Sequence, residues 1–334
     1  MEKIYTSLGL MSGTSMDGID ASIIRSNGED KYEVVSDQYF KYDEEIYREL
    51  VNIRNKINSS LDLEVNSIVL ANIERKITLF HATVCKKIIN DFSFDIDLIG
   101  FHGQTIFHNA NEKISKQLGD GSLLSGLLKK KVISNFREND MINGGQGAPL
   151  VPIFHQLLSN LNHIELPAYI LNIGGIANVT IISSKDCNDL KSYDIGPGNC
   201  LLDEWIRKNS DKRFDKNGEL ARAGRTDLII LNQAIDNFNS IKNNNKHSFD
   251  VKDFDLNFVR GLSLENGLST LTDFTASLIY HSIISSVNFD KSKKLNIIIC
   301  GGGRKNTSLI NSIKDKLPSN MKLCLIDEYK IYGD

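Results

Sequence analysis

The chain has 334 residues, 41% of them hydrophobic and 24% charged, with 39 Lys and Arg against 42 Asp and Glu for a net charge of −3. That length suits two domains of about 150 residues each, and the composition leaves no large disordered fraction. The near-neutral charge offers no basic field for nucleic acid, no apolar run reaches membrane-spanning length, and no basic start with a long apolar core marks a signal peptide.

In chain order, Ile4 to Leu10 and Ile19 to Arg25 read as strands, with Tyr32 to Phe40 as a third antiparallel strand of one meander. The first two flank a small, hydroxyl-rich turn, Ser12-Gly13-Thr14-Ser15-Met16-Asp17-Gly18. Its glycines let backbone N–H groups approach phosphate oxygens, Thr14 and Ser15 add donors, and Asp17 or Asp20 can hold a hydrated Mg2+. No lysine follows as in a Walker loop, and a plain hairpin would look the same, so the turn alone leaves its ligand open.

From Asn66 to Phe92, Ile68, Ala71, Ile77, Phe80, Val84 and Ile88 recur at helical spacing and predict a long helix leading into a buried strand, Ile96 to Gly100. The strand is expected to end at Phe101-His102-Gly103-Gln104-Thr105, a loop placed as ligand loops are in open α/β sheets. His81 and His155 read as helix residues without a chemical part. A second meander starts at Ala168: Ala168 to Ile173 is a strand, Gly174 to Asn178 a turn, Val179 to Ser183 a strand. It repeats the opening design roughly 160 residues later and predicts an internal duplication with one phosphate-facing hairpin per half.

Asp194-Ile195-Gly196-Pro197-Gly198-Asn199 reads as a tight loop before a helix from Cys200 to Asn209. Residues 211–260 are polar, with Asn243-Asn244-Asn245-Lys246 among them, and read as surface helices and loops. A helix from Leu271 to Ile284 and a strand from Leu295 to Cys300 follow, the strand entering the glycine turn Gly301-Gly302-Gly303. The five cysteines, Cys85, Cys187, Cys200, Cys300 and Cys324, are widely spaced and lack a CxxC pair, which points to reduced thiols and a cytoplasmic location.

Taken together and in order, Met11 to Asp20, His102 to Thr105, Asn143 to Pro152, Asn172 to Asn178 and Asp194 to Asp203 closely resemble the bacterial anhydro-N-acetylmuramic acid kinases. The resemblance covers nearly the whole chain. It implies an α/β fold of the actin, sugar-kinase and heat-shock ATPase type, ribonuclease H-like in each half, with a duplicated mixed-sheet core and a central cleft. The expected division is residues 1–163 and 164–334. Family members usually continue past the segment matching Leu325 to Tyr329 with an apolar helix, which this sequence lacks. The implied reaction uses ATP and water to open the 1,6-anhydro bridge of anhydro-N-acetylmuramic acid and phosphorylate the 6-oxygen, in recycling of cell-wall sugars. A homodimer is implied as well.

The resemblance also assigns roles. Asp194 opens the family's catalytic motif, matched except that Ile195 stands for threonine, and is expected to act as the base on water. Because phosphorus captures the leaving oxygen, no second carboxylic acid at glycosidase spacing is expected. Gly13, Thr14, Ser15, Met16, Asp17, Gly18, Ile19 and Asp20 match the ATP phosphate loop, with Asp17 reaching Mg2+ through water; Asp20 reads equally as a solvent-facing strand residue. Gly174, Gly175 and Asn178 would form the opposing hairpin, and Gly301, Gly302 and Gly303 would lie by the adenosine. His102, Gln104, Arg137, Asp140 and Gln146 are expected at the sugar, Arg137 gripping the lactyl carboxylate. Rival readings are another actin-fold sugar or carboxylic-acid kinase without a water-activating Asp194, and a non-catalytic ATP-binding chaperone or sensor.

Overall fold

Alternating apolar and polar residues build the opening meander: β1 (Tyr5–Ser12), β2 (Gly18–Ser26) and β3 (Tyr32–Lys41) pair antiparallel, with Leu8, Leu10, Ile19, Ala21 and Ile23 all buried. The computed structural model describes residues 3–13, 16–92, 94–186, 189–242, 249–286, 294–331 and 333, with backbone only at 241 and 242. The chain divides into two compact units, residues 1–150 and 151–334.

In the first unit, β4 (Leu98–Asn109) lies parallel to β1, and the short β6 (Lys131–Ile133) lies parallel to β4. β5 (Ile114–Leu118) returns antiparallel on the far half of β4. The helices are α1 (Glu44–Lys56), α2 (Ser60–Val65), α3 (Ser67–Asp91), α4 (Gly121–Leu128) and α5 (Glu138–Ile142). Asp43 caps α1 by accepting the Ile46 N–H at 2.8 Å.

Two expectations are corrected here. The buried stripe of α3 is Leu70, Ile73, Ile77, His81, Val84, Cys85 and Ile88, whereas Ile68 is 78% exposed and Ala71 is also exposed. Both registers fit helical spacing, and packing on the sheet chose between them. Secondly, His102 to Thr105 form no loop: they lie inside β4, which runs on to Asn109. Gly103 has φ +72°, and pairing slips from Leu10↔Phe101 to Ser12↔Gln104, so a bulge absorbs the polar segment without ending the strand.

The second unit repeats the plan. β7 (Ala168–Ile173), β8 (Ile176–Ile182) and β9 (Leu190–Pro197) form an antiparallel meander, while β10 (Leu295–Cys300) lies parallel to β7 and β11 (Met321–Leu325) parallel to β10. Around this sheet are α6 (Pro152–Leu161), α7 (Cys200–Asn209), α8 (Glu219–Ala223), α9 (Leu228–Lys242), α10 (Leu264–Ser286) and α11 (Thr307–Lys316). α10 begins well before the expected Leu271 and buries Leu271, Phe274, Leu278 and Ile279 as its periodicity requires.

Residues 211–260 are less peripheral than their polarity implied, since Phe238, Phe249, Leu256 and Val259 enter the core. Asn243 to Lys246 lie outside the described residues. The strand order β3-β2-β1-β4-β6 in one unit matches β9-β8-β7-β10-β11 in the other, with the same directions, so the duplication is a property of the fold. Each unit thus has the mixed-sheet α/β plan, duplicated, that the sequence resemblance implied. Among the described residues no helix is long and apolar enough to cross a membrane.

Candidate active site

The glycine turn of the first unit sits where β1 ends beside β4. Met16 N–H closes it onto the Gly13 carbonyl at 3.2 Å, and Gln104 Nε2 donates to the same carbonyl at 2.8 Å. Gln104 is fully buried and its Oε1 has no hydrogen-bond partner, so in this state the amide holds the loop. Met16 and Ile19 are core residues, which leaves only their backbone to meet a ligand. Thr14 and Ser15 lie outside the described residues.

Asp17 is half-buried at the end of the turn, and its carboxylate hydrogen-bonds the Tyr39 phenol. Burial first and then the charge of Asp17 raise the Tyr39 pKa above its ordinary value of 10.0. A Cβ on Gly18 would stand 2.5 Å from Phe40 O and 2.6 Å from the Tyr39 ring, so only glycine lets β3 close over the loop. Asp20 is exposed in β2 opposite Tyr39.

Behind the loop lies a buried chain of polar groups that sequence reasoning missed. Ser12 Oγ is 2.9 Å from the Tyr42 hydroxyl and 3.3 Å from His81 Nε2, and His81 Nδ1 is 2.8 Å from the Ile77 carbonyl. Burial drags the His81 pKa down from 6.5 to about 4, with nearby His102 adding to the effect. The one available signal was a histidine on the apolar stripe of α3, which the reading of it as chemically idle passed over.

His102 and Arg137 meet directly. His102 Nδ1 is 2.7 Å from the Gly103 carbonyl, and Arg137 Nη2 donates to His102 Nε2 at 2.9 Å while Nη1 donates to the Gly147 carbonyl at 2.6 Å. Burial, reinforced by the guanidinium, lowers the His102 pKa from 6.5 to about 4 and keeps the ring neutral. Asp140 accepts the Gly147 N–H at 2.7 Å, so it and Arg137 hold opposite ends of one residue of the glycine loop. A Cβ on Gly145 would fall 2.1 Å from the Asp140 carboxylate. Gln146 stands exposed on that loop.

In the second unit three motifs converge at the ends of β7, β8 and β10. Asp194 is not in a loop: it lies within β9, directly opposite Asn178 of β8, where pairing shifts from Ala177↔Gly196 to Asn178↔Asp194 and leaves Ile195 as the extra residue. Asp194 is 8% exposed, and its Oδ2 accepts the Phe249 N–H at 2.9 Å beside the rings of Phe249, Phe238 and Phe254. Asn178 Oδ1 is buried without a hydrogen-bond partner. Ile195 is buried in the apolar core, so the departure from threonine is met there by alkyl packing.

The Gly174-Gly175 turn is pinned by α7. Gly198 and Cys200 N–H groups donate to the Gly175 carbonyl at 2.9 and 3.2 Å, and Asn199 N–H to the Gly174 carbonyl at 2.8 Å. A Cβ on Gly198 would stand 2.3 Å from Gly174 O. Cys300 pairs with Asn172, which brings Gly301, Gly302 and Gly303 beside this turn. Gly301 has φ +80° and abuts Asn172, Gly303 abuts Ile173, and Gly302 faces open space. Arg304 folds beneath the glycines, its Nε 2.8 Å from Asp327 and Nη1 donating to the Gly301 carbonyl at 3.2 Å.

These features point to two glycine-lined anion sites, one per unit, with a carboxylate near each. Among the described residues no three carboxylates, imidazoles or thiols converge as a metal cage. A family model for anhydro-N-acetylmuramic acid kinase matches residues 5–334. A curated relative of that name from Pelagibacter ubique (strain HTCC1062) is 64% identical over 334 residues, spanning all of this chain and 89% of its own length. Another from Agrobacterium fabrum (strain C58 / ATCC 33970) is 37% identical over 94% of this chain and 83% of its own length, and one from Methylobacterium nodulans is 35% identical over 93% and 84%.

Proposed function

The chain belongs to the anhydro-N-acetylmuramic acid kinase family, and from that premise we propose how its residues divide the reaction. Water adds to the anomeric carbon of the sugar as the bond from that carbon to the bridging 6-oxygen breaks. The freed 6-oxygen bonds to the γ-phosphorus, the β–γ bridging oxygen departs with ADP, and Asp194 takes the proton of water. The products are N-acetylmuramic acid 6-phosphate and ADP.

The observation that carries this assignment is the setting of Asp194. A carboxylate that is 8% exposed, fixed at one oxygen by a backbone N–H and lying across the strand pair from Asn178, is held in place beside the glycine turn of its unit. Glycine-lined turns at Gly13 to Asp20 and at Gly174, Gly175 and Asn178 receive the phosphates, and Gly301 to Gly303 the adenosine. The donor set fits Mg2+ carried by the triphosphate and water, with Asp17 as the protein's carboxylate through a water molecule. When bound, the ion neutralises charge developing on the phosphates.

In the first unit, Arg137 receives the lactyl carboxylate, His102 holds Arg137, Asp140 and Gln146 belong to the glycine loop that frames it, and Gln104 sets the phosphate turn from behind. Among the described residues the thiols of Cys85, Cys200, Cys300 and Cys324 are buried and free, which supports a reducing cytoplasm. The family's homodimer is carried forward with this reading, and sedimentation of the purified chain tests it.

Asp194→Asn tests the central role. It should lower kcat by at least about a thousandfold while ATP affinity changes less than about threefold, as for a group that acts in the transition state. Retained turnover would remove Asp194 from the mechanism and favour the rival kinase reading.

A further inference from the structure

We propose that Tyr42 is a positioning residue for nucleotide binding, clamping both ends of the β1–β2 loop from inside the fold. The inference rests on the reading of that loop as the phosphate site. Tyr42 follows β3 and precedes the Asp43 cap of α1. Its backbone N–H donates to the Asp17 carbonyl at 2.9 Å, and its hydroxyl lies 2.9 Å from Ser12 Oγ on the other side of the loop. It is 2% exposed, so it acts through the loop rather than by touching a ligand.

The buried neighbours fix the direction of the clamp. The Ile77 carbonyl can only accept, so His81 Nδ1 carries the ring hydrogen, and in a neutral ring Nε2 is then an acceptor. Ser12 O–H therefore donates to Nε2, and its remaining lone pairs accept the Tyr42 O–H. With Gln104 holding Gly13, every described end of the loop is tied to a group inside the first unit. A glycine-bearing turn left loose would have to be ordered at each binding event; one already held presents its N–H donors to phosphate at less entropic cost.

Tyr42→Phe removes the hydroxyl and keeps both the ring and the Asp17 contact. KM for ATP, and the dissociation constant of a non-hydrolysable ATP analogue by calorimetry, should rise about five- to tenfold, while KM for the sugar and kcat at saturating ATP stay within about twofold. Ser12→Ala removes the same bond and the one to His81 as well, so it should raise KM for ATP at least as far, and the double variant no further than Ser12→Ala alone. Unchanged ATP affinity in Tyr42→Phe and Ser12→Ala overturns the proposal, as does a joint rise of both KM values with a lower melting temperature. Thr14→Ala separates the two levels. If it weakens ATP binding while Tyr42→Phe does not, only the clamp fails; if neither does, the phosphate-loop reading itself fails.

Discussion

Arg137 has both terminal nitrogens engaged within its own unit, one on His102 Nε2 and one on the Gly147 carbonyl. A neutral imidazole can accept that bond and an imidazolium cannot, and burial with the Arg137 charge holds the His102 pKa at about 4. The pair therefore persists through neutral pH and presents a guanidinium of fixed orientation. His102→Ala should raise KM for the sugar about tenfold and leave KM for ATP within about twofold, and Arg137→Lys should behave alike, since lysine keeps the charge but not the planar fork. Steady-state kinetics on both variants checks this, and an effect confined to ATP would contradict it.

At the scale of elements, the glycine turn proposed to receive phosphate in the second unit depends on close backbone contact between the β7–β8 hairpin and the start of α7. Gly198→Ala places a methyl group 2.3 Å from a carbonyl oxygen that is itself hydrogen-bonded, with no flexible side chain to yield. It should lower stability by about 1–3 kcal/mol and weaken ATP binding as the turn shifts. Urea denaturation with parallel nucleotide titration reads both, and a variant as stable and as tight as the parent would show that the contact is slack.

These same elements show what was legible beforehand. β7, β10 and α7 were bounded correctly because each apolar run ends at glycine or asparagine. Asp194 and the His102 to Thr105 segment were placed in loops because polar residues interrupt those runs, yet a bulge in each strand lets the sheet continue through them. The motifs singled out candidate residues, while the partners those residues fold against did not show. Tyr42 with Ser12, and Asp194 with Phe249, are joined across 30 and 55 residues by folding alone. No periodicity reports such pairs.

Over the whole molecule, His81, His102 and His155 are all buried and held at about 4, mainly by desolvation, against an ordinary 6.5. The unfolded chain takes up a proton at each near 6.5, the native chain only near 4. Between those values the unfolded state binds more protons, so stability is full above 6.5 and falls as the pH drops towards 4, by about 1.4 kcal/mol per histidine per pH unit. Denaturant midpoints taken across this window should decline steeply, and a flat profile would contradict the buried, neutral state of these rings.

The duplicated plan gives each unit its own glycine turn with a carboxylate close by, and the proposed reaction assigns the two different tasks. The most direct measurement is turnover of anhydro-N-acetylmuramic acid with ATP and Mg2+ in heavy-oxygen water, read by mass spectrometry of the products. The account predicts one heavy oxygen at the anomeric hydroxyl, an unlabelled phosphate on the 6-oxygen and equal ADP, all lost in Asp194→Asn. Label in free phosphate, or a sugar phosphate without label, would contradict it.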